Sequence, residues 1–452
     1  MLTVLAYGMI IAFVILVVTK KLSAFNSLLL TSLIGGALAC IITKKPVTDI
    51  FSWIKSGLFY STDQAGKVSL GTINSAVMIL FAILYFSMMM NVGLFDPLIT
   101  FLIRKAKGDP LRVAVVTAFV ASVVTLDGDG TTTVLITTAA FVPLFRQMKM
   151  KMSYLAVLIM LPATLGNLLP WGGPLARVGA VMNLDVGMLF STLLPVLLVS
   201  EIYILALSYF MGKKERKRLG YKGEKEAVIT QEQIEEMCQA IVDQDKEFKR
   251  PKMFFFNLIL TIVMIAVLIM GWVSGAYVFL IGTAIFLAAN YNFREQRERL
   301  SAVSGDALAV ATVIISAGAL LGILNGSGMS TSIATSLINI IPKSLNSHFA
   351  FIFSFIGIPG RYFLTVDSYY FGILPVIAPV GLSLGFTATE IAMSSVMGQA
   401  TGYASPVNPW LYLLLDRTDV SLGTYQKEFF KYSIPMFFVF VLTALLFGLF
   451  PL

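Results

Sequence analysis

The sequence predicts an all-α polytopic membrane protein with two inverted repeats, each containing a re-entrant helical hairpin and a broken transmembrane helix. Of its 452 residues, 57% are hydrophobic and 13% are charged, whereas a soluble globular domain carries about 25% charged residues. Apolar runs close to the ~20 residues that cross a bilayer recur along the whole chain. A membrane barrel would instead show short alternating strands of about ten residues.

The first apolar run, Leu2–Thr19, predicts a retained transmembrane helix. It has no basic segment before it and no small-residue cleavage site after it, so it differs from a secretory signal peptide. Lys20 and Lys21 follow it, and other basic residues also fall in short loops between apolar runs. This is the positive-inside pattern of a multi-pass protein in the cell (inner or plasma) membrane. It accounts for the net charge of +8 without nucleic acid as a partner.

One polar segment, residues 212–252, divides the chain into a first repeat, residues 1–211, and a second repeat, residues 253–452. Five of the six residues from Lys213 to Arg218 are basic, which predicts that this linker lies in the cytoplasm. Inside the linker, Gln231–Glu247 predicts a short amphipathic helix.

Three short matches, in the same order and at nearly constant offset, indicate that the two halves are repeats. Basic residues flank both ends of the stretch 111–145, so this stretch returns to the side from which it starts. The first half then crosses the membrane an odd number of times, and the second half must run inverted, with both termini outside. The matched segments are Thr125–Gly128 with Thr365–Ser368, Gly166–Pro170 with Gly402–Pro406, and Val92–Leu94 with Ser327–Met329.

Each repeat is predicted to hold one hairpin and one broken helix. In the first repeat these are residues 111–145 and 152–188, and in the second they are residues 349–384 and 391–415. Non-helical backbone at membrane depth is tolerated only where it is buried in protein or lines a cavity. We therefore expect the hairpin tips and the helix breaks to meet at a binding site near the midplane.

The tip of the first hairpin carries two carboxylates and two glycines between apolar arms. Carboxylates at membrane depth are costly unless they meet a cation, a proton or water, although at least one of this pair is also suited to capping the next helix. The glycines let the backbone turn and expose its amides, and the following threonines begin a helix whose N-terminus favours an anion. The candidates are Asp127 and Asp129 for a metal or proton, and Gly128, Gly130, Thr131 and Thr132 for substrate.

Helix-breaking residues mark the remaining candidates. Free carbonyls and amide side chains in an unwound region can coordinate a cation or a substrate hydroxyl, and the alternative is an ordinary loop between two spans. Two nearby arginines offer a guanidinium fork for a carboxylate, or else carry their charge to the membrane interface. These candidates are Gly166, Asn167 and Arg177 in the first repeat, and Arg361, Asp367, Ser368, Gly402, Ser405 and Asn408 in the second. Among them, Asp367 is a further candidate for a metal or proton.

The chain resembles the citrate–divalent-metal/proton symporter (CitMHS) family over essentially its full length. The resemblance implies import of citrate complexed with a divalent metal and coupled to protons. Resemblance to the wider ion-transporter superfamily implies a homodimer and elevator-type alternating access. The matching segments are Ala82–Phe86, Gly93–Pro97, Leu126–Thr133, Asn167–Pro174, Glu215–Gly220, Asp367–Gly372 and Leu374-Pro375, of which the third and fourth are the specific ones.

The residue chemistry and the resemblance agree on a secondary active transporter rather than an enzyme. We expect no permanently bound cofactor, and a divalent metal of the Mg²⁺ or Ca²⁺ class that arrives as part of the citrate substrate. At least one of Asp127, Asp129 and Asp367 is predicted to take the coupling proton. Two alternatives are a sodium-coupled di- or tricarboxylate transporter without metal in its substrate and, from a different class, an intramembrane aspartyl protease.

Overall fold

The computed structural model of the protein describes residues 1–62, 68–106, 108–128, 130–221, 231–243 and 246–452. Within these ranges the chain is almost entirely helical, with one short antiparallel pair of strands. Seven helical stretches of this described part have the length and hydropathy to cross a membrane. They are Ala24–Thr43, Ile73–Asn91, Val186–Arg218, Pro251–Met270, Phe293–Gly326, Val366–Ser383 and Leu422–Leu446.

The first five helices precede the first hairpin, and the two strands lie between the third and fourth helices. Tyr60 pairs with Leu70 in the strand register. These elements are α1 (Leu2–Val18), α2 (Ala24–Thr43), α3 (Asp49–Leu58), β1 (Tyr60–Thr62), β2 (Val68–Leu70), α4 (Ile73–Asn91) and α5 (Asp96–Ala106).

The next elements form a helical pair around a tight turn, a helix that breaks, and a long helix. They are α6 (Pro110–Val124), a 3-10 turn (Thr125–Asp127), α7 (Gly130–Gln147), α8 (Met152–Gly166), α9 (Pro174–Met182) and α10 (Val186–Arg218). Helix α9 ends earlier than the predicted broken helix, because Asn183 adopts a left-handed conformation (φ 54°) and Asp185 caps α10 by accepting the Met188 N–H. Helix α10 extends into the predicted linker, where the Glu215 carboxylate accepts the Lys151 N–H at 3.0 Å.

After the linker helix, the second half begins with four helices and ends with a series of elements similar to the one that ends the first half, with two more short helices. The linker helix is α11 (Gln231–Asp243), and the four that follow are α12 (Phe254–Met270), α13 (Gly275–Asn290), α14 (Phe293–Gly326) and α15 (Met329–Ile338). The final series consists of α16 (Phe349–Phe363), α17 (Val366–Ser368), a π-helical turn (Tyr369–Ile373), α18 (Leu374–Ser383), α19 (Ala388–Val396), α20 (Gln399–Gly402), α21 (Pro409–Thr418) and α22 (Leu422–Leu446). Short 3-10 turns lie at the end of the linker, at Lys246–Phe248 and Pro251–Met253, and before α16, at Lys343–His348. The inverted relation of the two halves stays a prediction.

The helices form two packed groups that meet along α4, α9 and α14, and also where α15 packs on α18. In one group, α14 packs on α2, α3 and α4, and α4 also packs on α13. In the other group, α10 packs on α6, α8 and α22, and α16 packs on α19 and α20. Helix α9 bridges them, since it contacts α4 and α14 on one side and α10 and α19 on the other.

The linker helix α11 lies against α5. Its Glu235 carboxylate forms a two-pronged ion pair with Arg104, with the closer contact at 2.6 Å. Beside this pair, Cys238 is 1% exposed and its Sγ lies 3.7 Å from the Thr100 carbonyl oxygen. One face of α11 is therefore covered by α5 while the ion pair stays at the surface.

Candidate substrate-binding site

A cavity of about 220 Å³ lies where the first hairpin tip, both helix breaks, α4 and α14 meet. It is smaller than the ~300–1,000 Å³ typical of sites for drug-sized ligands, so it suits a compact solute. Seven of the residues predicted from sequence line it. They are Gly128, Gly130, Thr132, Asn167, Arg177, Arg361 and Asn408.

Two glycines of the first tip are pressed against tryptophans. Gly128 has a φ of +78°, and a Cβ there would lie 3.0 Å from Cδ1 of Trp171. A Cβ on Gly130 would lie 3.1 Å from Cδ1 of Trp410. The left-handed φ and the close indole therefore select glycine at position 128, and the tip presents backbone to the cavity.

The first helix break is fastened to this tip by Trp171. The indole N–H donates to the Leu126 carbonyl oxygen at 2.7 Å. The ring also stacks on Phe86 of α4, with the ring centroids 4.0 Å apart. Gly166 supports the same junction, because a Cβ there would fall 2.3 Å from Cγ2 of Thr125. Gly166 therefore packs the end of α8 against the tip and does not line the cavity.

Three helix N-termini converge on the cavity. Helix α7 begins at Gly130, α9 is capped by Gly173, and α21 is capped by Asn408, and all three residues line the cavity wall. The first N–H groups of a helix have no partner inside the helix and carry a partial positive charge. Their convergence makes the cavity favourable for an anion.

Arg177 on α9 is bound to a carboxylate from the other half of the chain. Its Nε lies 2.6 Å from Oδ1 of Asp367, and the two side chains are 8% and 22% exposed. Gly173 leaves room for the pair, because a Cβ there would lie 2.9 Å from Nη1 of Arg177. The guanidinium that lines the cavity is therefore paired with a carboxylate that is not itself among the lining residues.

Arg361 on α16 is the cation without an acidic partner in the described part of the site. The residue is 1% exposed, and its Nη1 donates to the Leu364 carbonyl oxygen at 2.9 Å. Its Nε is buried and has no hydrogen-bond partner among the residues that the structure describes. A buried charge is costly when it is not paired, so this guanidinium is poised for an anionic group entering the cavity.

The other predicted residues of the second half support the backbone of the break and the second tip. Asn408 Nδ2 donates to the Gly402 carbonyl oxygen at 3.1 Å, and Ser405 Oγ donates to the Tyr362 carbonyl oxygen at 2.7 Å. The Ser368 N–H donates to Thr365 Oγ1 at 3.1 Å, which caps the short helix α17. Of these residues, Asn408 alone lines the cavity.

The remaining predicted residues of the first tip are Thr131, Asp127 and Asp129. Thr131 is exposed and does not line the cavity. Asp127 ends the 3-10 turn that forms the tip. Asp129 lies outside the described residues.

The cavity also has walls that the sequence reasoning missed. Asp306 and Val310 of α14 face residues Ile79, Ile83 and Ser87 of α4 around it, and Trp171, Tyr403 and Trp410 complete the lining together with Gly173 and Val366. Asp306 is exposed at this wall and forms no ion pair with the described residues. A sequence signal for Trp410 did exist, because both breaks contain a proline followed by tryptophan, Pro170-Trp171 and Pro409-Trp410.

The chain is similar to known citrate transporters over nearly its full length. A family model described as CitMHS, citrate transporter, matches residues 13–398. A citrate transporter of Bacillus subtilis (strain 168) is 36% identical over 450 residues, which are 99% of each chain. A Mg²⁺/citrate complex secondary transporter of the same organism is 34% identical over 449 residues, again 99% of each chain.

A solved structure shares the fold at low sequence identity. It is MtrF of Neisseria gonorrhoeae, described within a class of antimetabolite efflux pumps, with a TM-score of 0.54 and 12% identity. The similarity covers 88% of this chain and 82% of MtrF.

Proposed function

This chain belongs to the CitMHS family of citrate transporters, and from that premise we propose that it imports citrate complexed with a divalent metal, driven by protons. Family membership makes it a multi-pass membrane transporter and not an enzyme. The identity of the cargo and its coupling to protons go further than membership and rest on the chemistry of the cavity.

The observation that carries the proposal is the unpaired guanidinium of Arg361 in a cavity where three helix N-termini converge. A guanidinium offers a fork that matches the two oxygens of a carboxylate. Helix N-termini add partial positive charge and free N–H donors. We assign the citrate carboxylates to this side of the cavity, with Asn167, Asn408, Thr132 and the tip backbone at Gly128 and Gly130 as further contacts.

Among the described residues, a carboxylate that lines the cavity from another helix supports a metal in the cargo. Asp306 lines the cavity from α14, whereas Arg361 lines it from α16. In the described part of the chain, this cation and this anion have no ion-pair partner, which suits a ligand that carries both charges, and metal–citrate presents carboxylates beside a partly coordinated cation. Carboxylate oxygens are ligands that both Mg²⁺ and Ca²⁺ accept. The name of the Mg²⁺/citrate relative points the same way.

The two helix groups support alternating access. The tips and breaks belong to the group built on α6, α10 and α22, while α4 and α14 belong to the other. Because the cavity lies between the groups, sliding one against the other would expose it to each side of the membrane in turn. We propose an elevator-type motion of this kind in a homodimer, with the linker in the cytoplasm and both termini outside.

The test is uptake of labelled citrate into proteoliposomes with an imposed pH gradient. Mg²⁺, Ca²⁺ or EDTA is present outside, with and without Na⁺. The proposal expects uptake that needs a divalent metal, collapses with EDTA and rises with the proton gradient. Equal uptake in EDTA would overturn the metal–citrate assignment, and a requirement for Na⁺ would favour a sodium-coupled carboxylate transporter.

Arg361→Lys tests the carboxylate assignment directly. Lysine keeps the positive charge but lacks the planar fork, so the KM for metal–citrate should rise about tenfold, which corresponds to ~1.4 kcal/mol. The matched control is Arg146→Lys, an exposed arginine in the last turn of α7, whose KM should stay at the wild-type value. An unchanged KM in Arg361→Lys would remove this residue from the binding site.

A further inference from the structure

A carboxyl group that takes no part in the cavity lies near the middle of the long helix α10. Glu201 is the sixteenth of the 33 residues of α10, about 22 Å from the start of that helix. Leu198 and Ile202 flank it on the same helix and are 57% and 67% exposed. Because α10 is a candidate membrane span, these two side chains face outward from the helix bundle. An ionisable side chain at such a depth is costly when charged and marks a functional position.

The single hydrogen-bond partner of Glu201 among the described residues is Ser122 on α6. The Ser122 Oγ lies 2.8 Å from Glu201 Oε1, and it also lies 3.0 Å from the Ala118 carbonyl oxygen. Glu201 forms no ion pair within the described part of the chain. This half-buried carboxyl group therefore lacks a cation that would stabilise its charged form.

The helices packed on α10 offer no free cation at this depth. Helices α8 and α12 contain no Asp, Glu, Lys or Arg. Most of the charged residues of the other neighbouring helices already have partners. These are Arg112 of α6 with Asp109, Arg177 of α9 with Asp367, and Lys431 of α22 with Glu428, while Glu390 caps α19. Lys427 of α22 is exposed. The tyrosine hydroxyls of α22 are engaged too, because Tyr425 bonds the Tyr403 carbonyl and Tyr432 bonds Glu428.

The hydrogen count around Ser122 favours a protonated Glu201. A serine hydroxyl has one proton to donate, and both the Ala118 carbonyl and an ionised carboxylate can only accept. If Glu201 is ionised, the Ser122 hydroxyl can donate to only one of these two acceptors, and the other receives no hydrogen bond from it. With Glu201 protonated, its O–H donates to Ser122 and the serine donates to Ala118, so both contacts are satisfied.

We propose that Glu201 is a proton-binding site of the transport cycle, an inference that rests on the proposed proton-coupled function. The carboxylate takes a proton from water on one side of the membrane and returns it to water on the other side, and no other bond is made or broken. Ser122 lies three residues before the turn Thr125–Asp127 that forms the cavity tip. Loss of the proton turns the Ser122 hydroxyl from Ala118 toward Glu201, which changes the hydrogen bonding of the arm that carries the tip.

The variant Glu201→Gln separates this role from a structural one. A glutamine amide can donate to Ser122 as the protonated acid does, but it cannot release a proton. The variant should keep exchange of metal–citrate across proteoliposomes at zero pH gradient. It should lose accumulation driven by a pH gradient, and its exchange should lose the pH profile of the wild type. Glu428→Gln is the matched control, because it removes a carboxyl that already pairs with Lys431, and it should keep gradient-driven accumulation.

The outcomes distinguish this inference from the proposed function. If wild-type protein shows no proton-driven uptake of metal–citrate, the proposed function itself fails. If the wild type accumulates and Glu201→Gln accumulates equally with the same pH profile, the assignment of Glu201 is overturned alone. Should Glu201→Gln lose exchange as well, infrared difference spectra of purified protein decide. The inference expects a protonated carboxyl band that the wild type shows and the variant lacks, and a band retained in the variant would overturn it.

Discussion

Arg177 and Asp367 form an ion pair across 190 positions of the chain, with Nε and Oδ1 2.6 Å apart at the cavity wall. It joins the first break to the second tip, so it ties the geometry of one half to that of the other. Removing one partner leaves a mostly buried charge without compensation, whereas removing both does not. The pair is therefore a stability element of the site as well as a part of its wall.

Asp367→Asn should destabilise the protein on the order of 3 kcal/mol, because it strands the Arg177 guanidinium. The double variant Arg177→Gln with Asp367→Asn should recover part of that loss. Thermal unfolding in detergent is measured for the wild type, both single variants and the double variant, which together form a double-mutant cycle. Additive losses would show that the two residues are not coupled.

Asp306→Asn should alter the dependence of transport on metal more than the affinity for citrate. The substitution keeps the shape of the side chain and removes the negative charge facing the cavity, so a metal–citrate complex loses its advantage over free citrate. The measurement is the ratio of uptake with Mg²⁺ to uptake with EDTA.

Glu298→Gln is the control for Asp306→Asn. Glu298 lies on the same helix and pairs at the surface with Arg294, so its ratio should equal that of the wild type. A wild-type ratio in Asp306→Asn would place the metal elsewhere in the cavity.

Gly128→Ala should impair both folding and transport. A left-handed residue other than glycine costs about 1 kcal/mol or more, and the added Cβ would press on Trp171 at 3.0 Å. Initial uptake rates and the Tm report the two effects.

The comparison for Gly128→Ala is Gly423→Ala. Gly423 lies in α22, and nothing lies within 4 Å of the position of its Cβ. This variant should transport normally. Equal behaviour of the two variants would show that the contact with Trp171 is not restrictive.

Glu235→Gln should loosen the linker helix α11 from α5. The Arg104 guanidinium holds the pKa of the Glu235 carboxyl below its ordinary value of 4.5. A lowered pKa in the docked state means that the ion pair contributes to docking above pH ~4.5 and stops contributing as the pH falls through the lowered value. Both partners are exposed, so the contribution is modest and is screened by salt.

Labelling of Cys238 reports this docking, since the thiol is buried between α11 and α5. In a Cys40→Ser background at neutral pH, Glu235→Gln and high salt should each speed the reaction of Cys238 with a thiol reagent. Asp243→Asn, which disturbs an ion pair within the linker, should leave the rate unchanged. If all variants react alike, the Arg104–Glu235 pair does not hold the helix.

Local chemistry explains which parts of the site the sequence could predict. The tip and the breaks consist of glycine, proline and charged residues within short segments, so the sequence predicts Gly128, Asn167, Arg177, Arg361 and Asn408 as site residues. Their surroundings depend on contacts between distant segments. Nothing near Arg177 in the chain indicates that it meets Asp367, and nothing near Asp306 indicates that α14 faces the cavity.

The same limit applies to the residues that serve the backbone. Ser368 and Ser405 lie at the predicted tip and break, but the Ser368 hydroxyl accepts from the Thr365 hydroxyl and the Ser405 hydroxyl donates to the Tyr362 carbonyl oxygen. Sequence position placed them near the site without showing which way their oxygens point. The sequence does not single out Glu201 for the opposite reason, because this residue lies in a long apolar helix far from any motif.

The enclosure of Gly128 and Gly130 by Trp171 and Trp410 has a consequence for how this family can diversify. Gly128 and Gly130 offer only backbone at the tip, and the space at these two positions is limited by indoles that come from both halves of the chain. Substitutions that change the cargo are therefore expected in the walls on α4 and α14. The two glycines of the tip and the two tryptophans should be retained together. Paralogues that carry different metal chelates should differ at positions such as Asp306 and Ser87 and keep the glycine–indole contacts intact.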